Sequence, residues 1–506
     1  MTTRRAALLL ALTLGSATAA FAGGKRIDDV DADDFSFGSM AIGQAKDVDY
    51  SRAEGLGLVP NSPFDAYLNG ILAKLLAQSP VKHVPARVYI RASGDWAAKS
   101  TADANIYVAL GTLLRLDNED EVAALLGHEA SHVILGHADA DVVQGVQQRA
   151  LQLSALAVEA QQVIAAGKGA EKHPAAGGSG KASGTSARVE EQSQALLLNT
   201  VLIVPAWTRG QERDADLLGT DLLVRAGYSP QAMASLLRKQ KSVETDRANN
   251  PRATHLDQQL FGVDVNKQVQ EQTKQAARNI GVKDGGLGEL AGSALGAAFE
   301  WGSKKVDDAQ RAHPKTEERI SDLEVYVARE YPSESAKPLQ VESWDAAKEQ
   351  DATADILENY IAAIEAKSKL SSGDLAAAGK LAKTSLSGPT RAHAYPNYVA
   401  AAVQLAAGDS APALADYETA LGGPEPAGAI FTEASLLYLQ TGKNEKAVEV
   451  IETGYARLQQ PPSLTVPLIR TYRQLGRQVD ADRIAAECAA RWPQMQSLCI
   501  NEAKGK

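Results

Sequence analysis

Four glycines, Gly373, Gly408, Gly442 and Gly476, stand 35, 34 and 34 residues apart near the end of a 506-residue chain. Each is followed by a polar residue and, five positions on, by an alanine: Ala378, Ala413, Ala447 and Ala481. A fixed period of this length marks stacked helix-turn-helix units, with the glycine making the turn and the small side chain letting helices approach. It predicts an all-α repeat solenoid over 351–500, of about four helix pairs, in preference to a plain helical bundle. Such an array offers a concave groove for a peptide or a partner protein.

A second constraint lies upstream, in His128-Glu129-Ala130-Ser131-His132. This HExxH run sits in a helix-prone stretch from Glu119 to about Ala150, and helical geometry stacks residues four apart on one face. The two imidazoles therefore point the same way, as two ligands of one metal must, and Glu129 lies next to that face. Zinc-dependent hydrolysis is the first reading, against two unrelated histidines on a solvated helix. A third protein ligand is needed. The positions that would hold a glycine and a third histidine in the metzincin pattern are Leu135 and Ala138. His137, at about 100° per residue, falls roughly 140° round the helix from His132 and is read as structural.

The third ligand is sought in Thr208-Arg209-Gly210-Gln211-Glu212-Arg213-Asp214-Ala215-Asp216. Glu212 and Asp216 share a helical face, while Asp214 points about 200° away and is read as solvated. Glu212 can reach a metal, and Asp216 can accept the free N–H of a ligand imidazole. Alone, the stretch reads equally as an acidic helix start capped by Thr208.

Together these residues resemble peptidase family M48, the CAAX-prenyl-protease-like zinc metalloproteases, which carry HExxH on one helix and ExxAD on a second. Pro63–Asn69, Glu119–Ala123, Ala226–Pro230 and His313–Ile320 are similar to further segments of the family, in order, over about residues 50 to 330. The resemblance implies a mainly α, zincin-type α+β metalloprotease domain with a small sheet over 23–340. It implies one Zn2+ per chain held by His128, His132 and Glu212, with Asp216 behind them and Glu129 as general base. His313 precedes Pro314 and so sits on a loop or at a helix start. Three roles stay open for it: stabilising the oxyanion, capping the vacant zinc position, or merely starting a surface helix. Where relatives carry an Asn-Ala-Phe strand and a Pro-Gly-Gly turn, this chain has the stretch from Asp95 to Val108. An edge strand there would pair with extended substrate, so the departure bears on substrate preference and leaves the zinc chemistry alone.

The 34-residue period is that of tetratricopeptide repeats, and the combination resembles periplasmic M48 proteases with C-terminal repeats of this kind. That likeness implies polypeptide substrates, namely misfolded or unassembled envelope proteins, and partners in the outer-membrane protein assembly machinery. The alternative is a chaperone or assembly scaffold acting through its repeats, with a latent metal site; a Glu129→Gln form that supports envelope integrity as well as wild type would favour it.

Export fits this reading. Arg4 and Arg5 precede an apolar run from Ala6 to Leu14, and Ala20-Phe21-Ala22 gives a small-x-small cleavage site, so 1–22 reads as a signal peptide. No cysteine follows that run, which argues against a lipoprotein. The location implied is the periplasm, with peripheral association at the outer membrane. Loss of 1–22 removes two arginines and moves the net charge from -10 to 50 minus 62, or -12, with no basic stripe for nucleic acid. The most apolar later stretch, Ala195–Trp207, is 13 residues with Asn199 and Pro205, too short to span a membrane. Leu287–Trp301 reads as a loosely packed insertion, and the Gly/Ala/Ser/Lys-rich stretch over about 167–187, with His173, as a flexible one. Cys488 and Cys499 are expected to pair in an oxidising compartment, adding about 2 to 3 kcal/mol by the chain-entropy model.

Overall fold

The computed structural model describes residues 24–32, 35, 41–55, 57–138, 209–249, 316–334 and 337–505. The expected signal peptide 1–22, the expected flexible insertion 167–187, Ala195–Trp207, Leu287–Trp301, His173 and His313 lie outside the described residues. The fold is mostly helical, with one small sheet, and continues into a helical solenoid.

In the first part, α1 (Gln44–Glu54) and α2 (Ser62–Leu76) precede the sheet. Helix α2 starts with Pro63 in its first turn, where a missing N–H costs nothing, and buries Phe64, Leu68, Ile71, Leu72 and Leu75 along one stripe. The sheet has order β1-β3-β2: β1 (Arg87–Arg91) runs parallel to β3 (Asn105–Ala109), and β2 (Ala98–Ser100) pairs antiparallel to it at the edge. Every residue of β3 is buried, as expected of a strand covered on both faces.

A short helical turn, α3 (Leu110–Leu113), leads to α4 (Glu119–Ile134), the helix that carries HExxH. Asn118 caps it, accepting the N–H of Glu121 at 2.9 Å. The first turn buries three acids, which the helix dipole and a dense set of donors tolerate. Glu119 accepts the hydroxyls of Tyr67 and Tyr228, Asp120 the N–H groups of Ser229 and Gln340, and Glu121 the hydroxyl of Ser235. Tyr228 and Ser229 belong to the turn between α5 (Arg209–Arg225) and α6 (Gln231–Asn249), so this turn is tied to the root of the metal helix. Helix α7 (Thr316–Glu330) then packs against α5 and α6.

The passage to the repeats is fastened at the same root. Gln340 both donates to Asp120 and accepts the N–H of Glu119, at 2.7 and 2.9 Å. In α8 (Val341–Glu349), Trp344 is wholly buried; its indole N–H donates to the Leu116 carbonyl at 2.8 Å and its ring lies 5.6 Å from that of Phe64.

Four helix pairs follow: α9 (Asp351–Ser371) with α10 (Leu375–Ser385), α11 (Ala394–Ala407) with α12 (Ser410–Gly422), α13 (Gly428–Gln440) with α14 (Asn444–Arg457), and α15 (Pro462–Gln474) with α16 (Gln478–Arg491). The four periodic glycines sit between partners at φ of +83°, +93°, +76° and +71°, the left-handed turn where a side chain is penalised. The alanines five residues on are all 0% exposed. Helix α17 (Gln496–Lys504) covers the open end, held by Arg470 and Arg473 on Glu502 and by a Cys488–Cys499 disulfide to α16. Helix α1 leans on the repeats: Arg52 pairs with Asp49 and Glu425 at 2.9 and 3.1 Å and donates to the Pro426 carbonyl. Among the described residues, no helix is long and apolar enough to cross a membrane.

Candidate metal centre

Helices α4 and α5 cross where each has a glycine. A Cβ at Gly219 would stand 3.1 Å from the backbone of Gly127 and His128, and one at Gly127 would stand 3.3 Å from the Gly219 carbonyl. This close approach lets His128 and His132, one and five residues after Gly127, meet Asp216 and Glu212, three and seven residues before Gly219. Gly219→Ala is therefore expected to push the helices apart, costing about 1–3 kcal/mol by overpacking and weakening metal uptake. A melting temperature and zinc affinity equal to wild type would count against that account.

At the crossing, His128 and His132 bring their Nε2 atoms to 3.1 Å, and Glu212 sets carboxylate oxygens 3.8 Å from His128 Nε2 and 3.9 Å from His132 Nε2. All three residues are mostly or wholly buried, with side-chain exposures of 12%, 0% and 8%. Their ligand atoms lie within 4.8 Å of one another, the one such His/Cys/Asp/Glu group among the described residues. Zinc bonds of about 2.0–2.2 Å in a tetrahedron would hold ligand atoms about 3.3–3.6 Å apart. Two imidazoles and a carboxylate are also the donor set of hydrolytic zinc centres, so the residues fit that ion.

The surroundings bias the ligands. His128 Nδ1 lies 3.0 Å from Asp216 Oδ1, off the line of a good hydrogen bond, so the contact is chiefly electrostatic. Burial opposes charge on His128, yet Asp216 and Glu212 hold its pKa above the usual value. Arg319, from α7, clamps both acids: its Nε and Nη2 donate to Asp216 at 2.8 and 2.7 Å, and its Nη1 lies 2.8 Å from Glu212. Burial would raise the Asp216 pKa, but the guanidinium and His128 bring it down to about 2.

Glu129 occupies the turn between the two histidines and is 5% exposed. Burial, helped by the charge on Glu212 and opposed by His128 and by Ser100 of the edge strand, raises its pKa to about 7. One carboxylate oxygen, Oε2, is buried without a hydrogen-bond partner. A group poised in this way can take and return a proton near neutral pH.

Three expectations are corrected. The metal helix does not run to Ala150: it ends at Ile134, and residues 135–138 form a turn. His137 is consequently not on the far side of a helix, since Gly136 at φ +63° turns the chain and brings His137 Nδ1 to 2.9 Å from His132 Nδ1. Burial, with the charge of His128, lowers the His137 pKa to about 4. Asp214 is partly buried and accepts the Lys25 N–H at 2.8 Å, tying down the start of the described chain. Arg319 was visible in sequence only as the last charged position of the His313–Ile320 segment, with no role attached.

A helix bearing two histidines with a buried glutamate between them, completed by an acid from a crossing helix into a cluster able to hold a metal ion, defines an HExxH metallopeptidase centre. The profile of peptidase family M48 matches residues 64–327, more than half of the chain, and the chain belongs to that family. It is 28% identical over 173 residues to the Beta-barrel assembly-enhancing protease of Yersinia pestis, covering 34% of this chain and 32% of the relative. It is 26% identical over 239 residues to the protein of that name from Escherichia coli (strain K12), covering 46% and 45%. Against Metalloprotease LoiP of Escherichia coli (strain K12) it is 30% identical over 138 residues, covering 27% and 45%. The matches thus span less than half the length of each of these curated relatives.

Proposed function

We propose that this chain is a periplasmic zinc metalloendopeptidase that cleaves misfolded or unassembled envelope proteins, with its repeats binding clients or assembly partners. The observation that carries the reading is the buried His128–His132–Glu212 cluster with Glu129 beside it. Zinc held there would polarise the scissile carbonyl and the attacking water. Glu129 takes a proton from that water and passes it to the leaving amine. Its pKa of about 7 suits both transfers.

The short edge strand β2 supports a peptide substrate, because a backbone laid along it would run past Ser100, the residue beside Glu129. His313 belongs to the segment whose Arg319 reaches Glu212, which supports a place near the zinc, either on the oxyanion or as a plug. An envelope role rests on the 1–22 segment and on relatives named for β-barrel assembly. The test is proteolysis of one outer-membrane β-barrel protein, unfolded in urea dilution and folded in detergent, by zinc-loaded full-length chain. The unfolded form is expected to be cut and the folded form spared. An unfolded form left intact contradicts the proposal.

A further inference from the structure

The two histidines of the metal centre are held differently. His128 faces a carboxylate, that of Asp216. His132 faces an imidazole: its Nδ1 lies 2.9 Å from Nδ1 of His137, with the ring planes inclined by 67°. Two ring nitrogens at that distance share a single proton, one donating and one accepting. His132 points Nε2 at the ligand cluster, so that nitrogen must carry the lone pair and the proton must sit on Nδ1. His132 is therefore the donor, His137 accepts on Nδ1, and the proton of His137 is on Nε2.

The backbone builds this contact from a local rule. Gly136 N–H donates to the Val133 carbonyl at 3.1 Å and His137 N–H to the His132 carbonyl at 3.0 Å, the paired bonds of a Schellman helix end. In that motif the residue after the glycine packs against the third residue from the helix end. Commonly this is a contact between apolar side chains; here it joins two imidazoles, 0% and 8% exposed. The helix terminator and the orientation of a metal-binding residue are thus one structure.

We propose that His137 is a positioning residue of the metal centre, a neutral acceptor that fixes the tautomer and tilt of His132, whereas Asp216 acts on His128 chiefly through its charge. The inference rests on the proposed zinc site. It is tested on the full-length chain with His137→Leu, which fills the space without an acceptor, and His137→Asn, whose side-chain oxygen can restore one. Zinc affinity is read by chelator competition and ligand geometry by the cobalt(II) absorption spectrum. The Leu variant is expected to lose about 10–100-fold in affinity, the usual effect of removing such a partner, with a shifted cobalt spectrum; the Asn variant is expected to stay near wild type. Wild-type affinity in the Leu variant, or equal loss in both, overturns the proposal.

Should the Leu variant fail to fold, nitrogen-15 NMR of histidine-labelled wild type decides. A protonated Nδ1 on His132 with a bare Nδ1 on His137 supports the proposal, and the reverse tautomers overturn it. A wild type that takes up no zinc overturns the metal-site reading along with this one, whereas zinc uptake unaffected by His137→Leu overturns this one alone.

Discussion

Glu129→Gln is expected to abolish peptide cleavage while leaving zinc uptake and folding intact. General-base catalysis contributes about 10²–10⁴-fold, and the amide cannot accept the proton that the carboxylate takes. Stability should not suffer. Glu129 is 5% exposed, and one of its oxygens is buried without a partner, so its charge is held against a desolvation cost. A neutral side chain of the same shape removes that cost, and the variant should melt at or above the wild-type temperature. Cleavage of an unfolded client at the wild-type rate, with zinc bound, would sink the assigned role.

Arg319→Leu should have the largest effect on the protein itself. The guanidinium is 8% exposed and touches Glu212 and Asp216 together. Removing it strands two buried carboxylates, at a cost of about 3–5 kcal/mol for a broken buried pair, in a domain class whose whole stability is about 5–15 kcal/mol. Bound zinc would compensate Glu212 in part, since an ion that binds only the folded state stabilises it. The drop in melting temperature should thus be larger after chelation than with zinc present. Arg319→Lys should recover only part of the loss, because an ammonium cannot reproduce the fork that grips Asp216 through Nε and Nη2. A Leu variant that melts with wild type in both states would contradict the account of the clamp.

Much of this site was legible because helical spacing is a rule. His128 with His132, and Glu212 with Asp216, are each four residues apart, so their shared faces follow from the sequence once the segments are helical. The solenoid was legible for a similar reason: a left-handed turn demands glycine and a tight helix crossing demands a small residue, and both demands recur at one period. What escaped was set by tertiary contact. Arg319 stands 103 residues from Asp216, and no local pattern says that the two meet. His137 was misplaced by running the metal helix past its end, although Gly136 in front of it was the available signal for a helix stop. Helix α1 has no clear apolar stripe, and its seat on the repeats is made by Arg52 with Glu425 and the Pro426 carbonyl, partners more than 370 residues away.

The central claim is that two crossing helices bind one zinc through His128, His132 and Glu212. Crystals of the full-length chain grown with zinc, measured above and below the zinc absorption edge, test it most directly. The expected result is one anomalous peak per chain, about 2.0–2.2 Å from His128 Nε2, His132 Nε2 and a Glu212 oxygen. A fully ordered site with no peak, or a peak held by other residues, would contradict it.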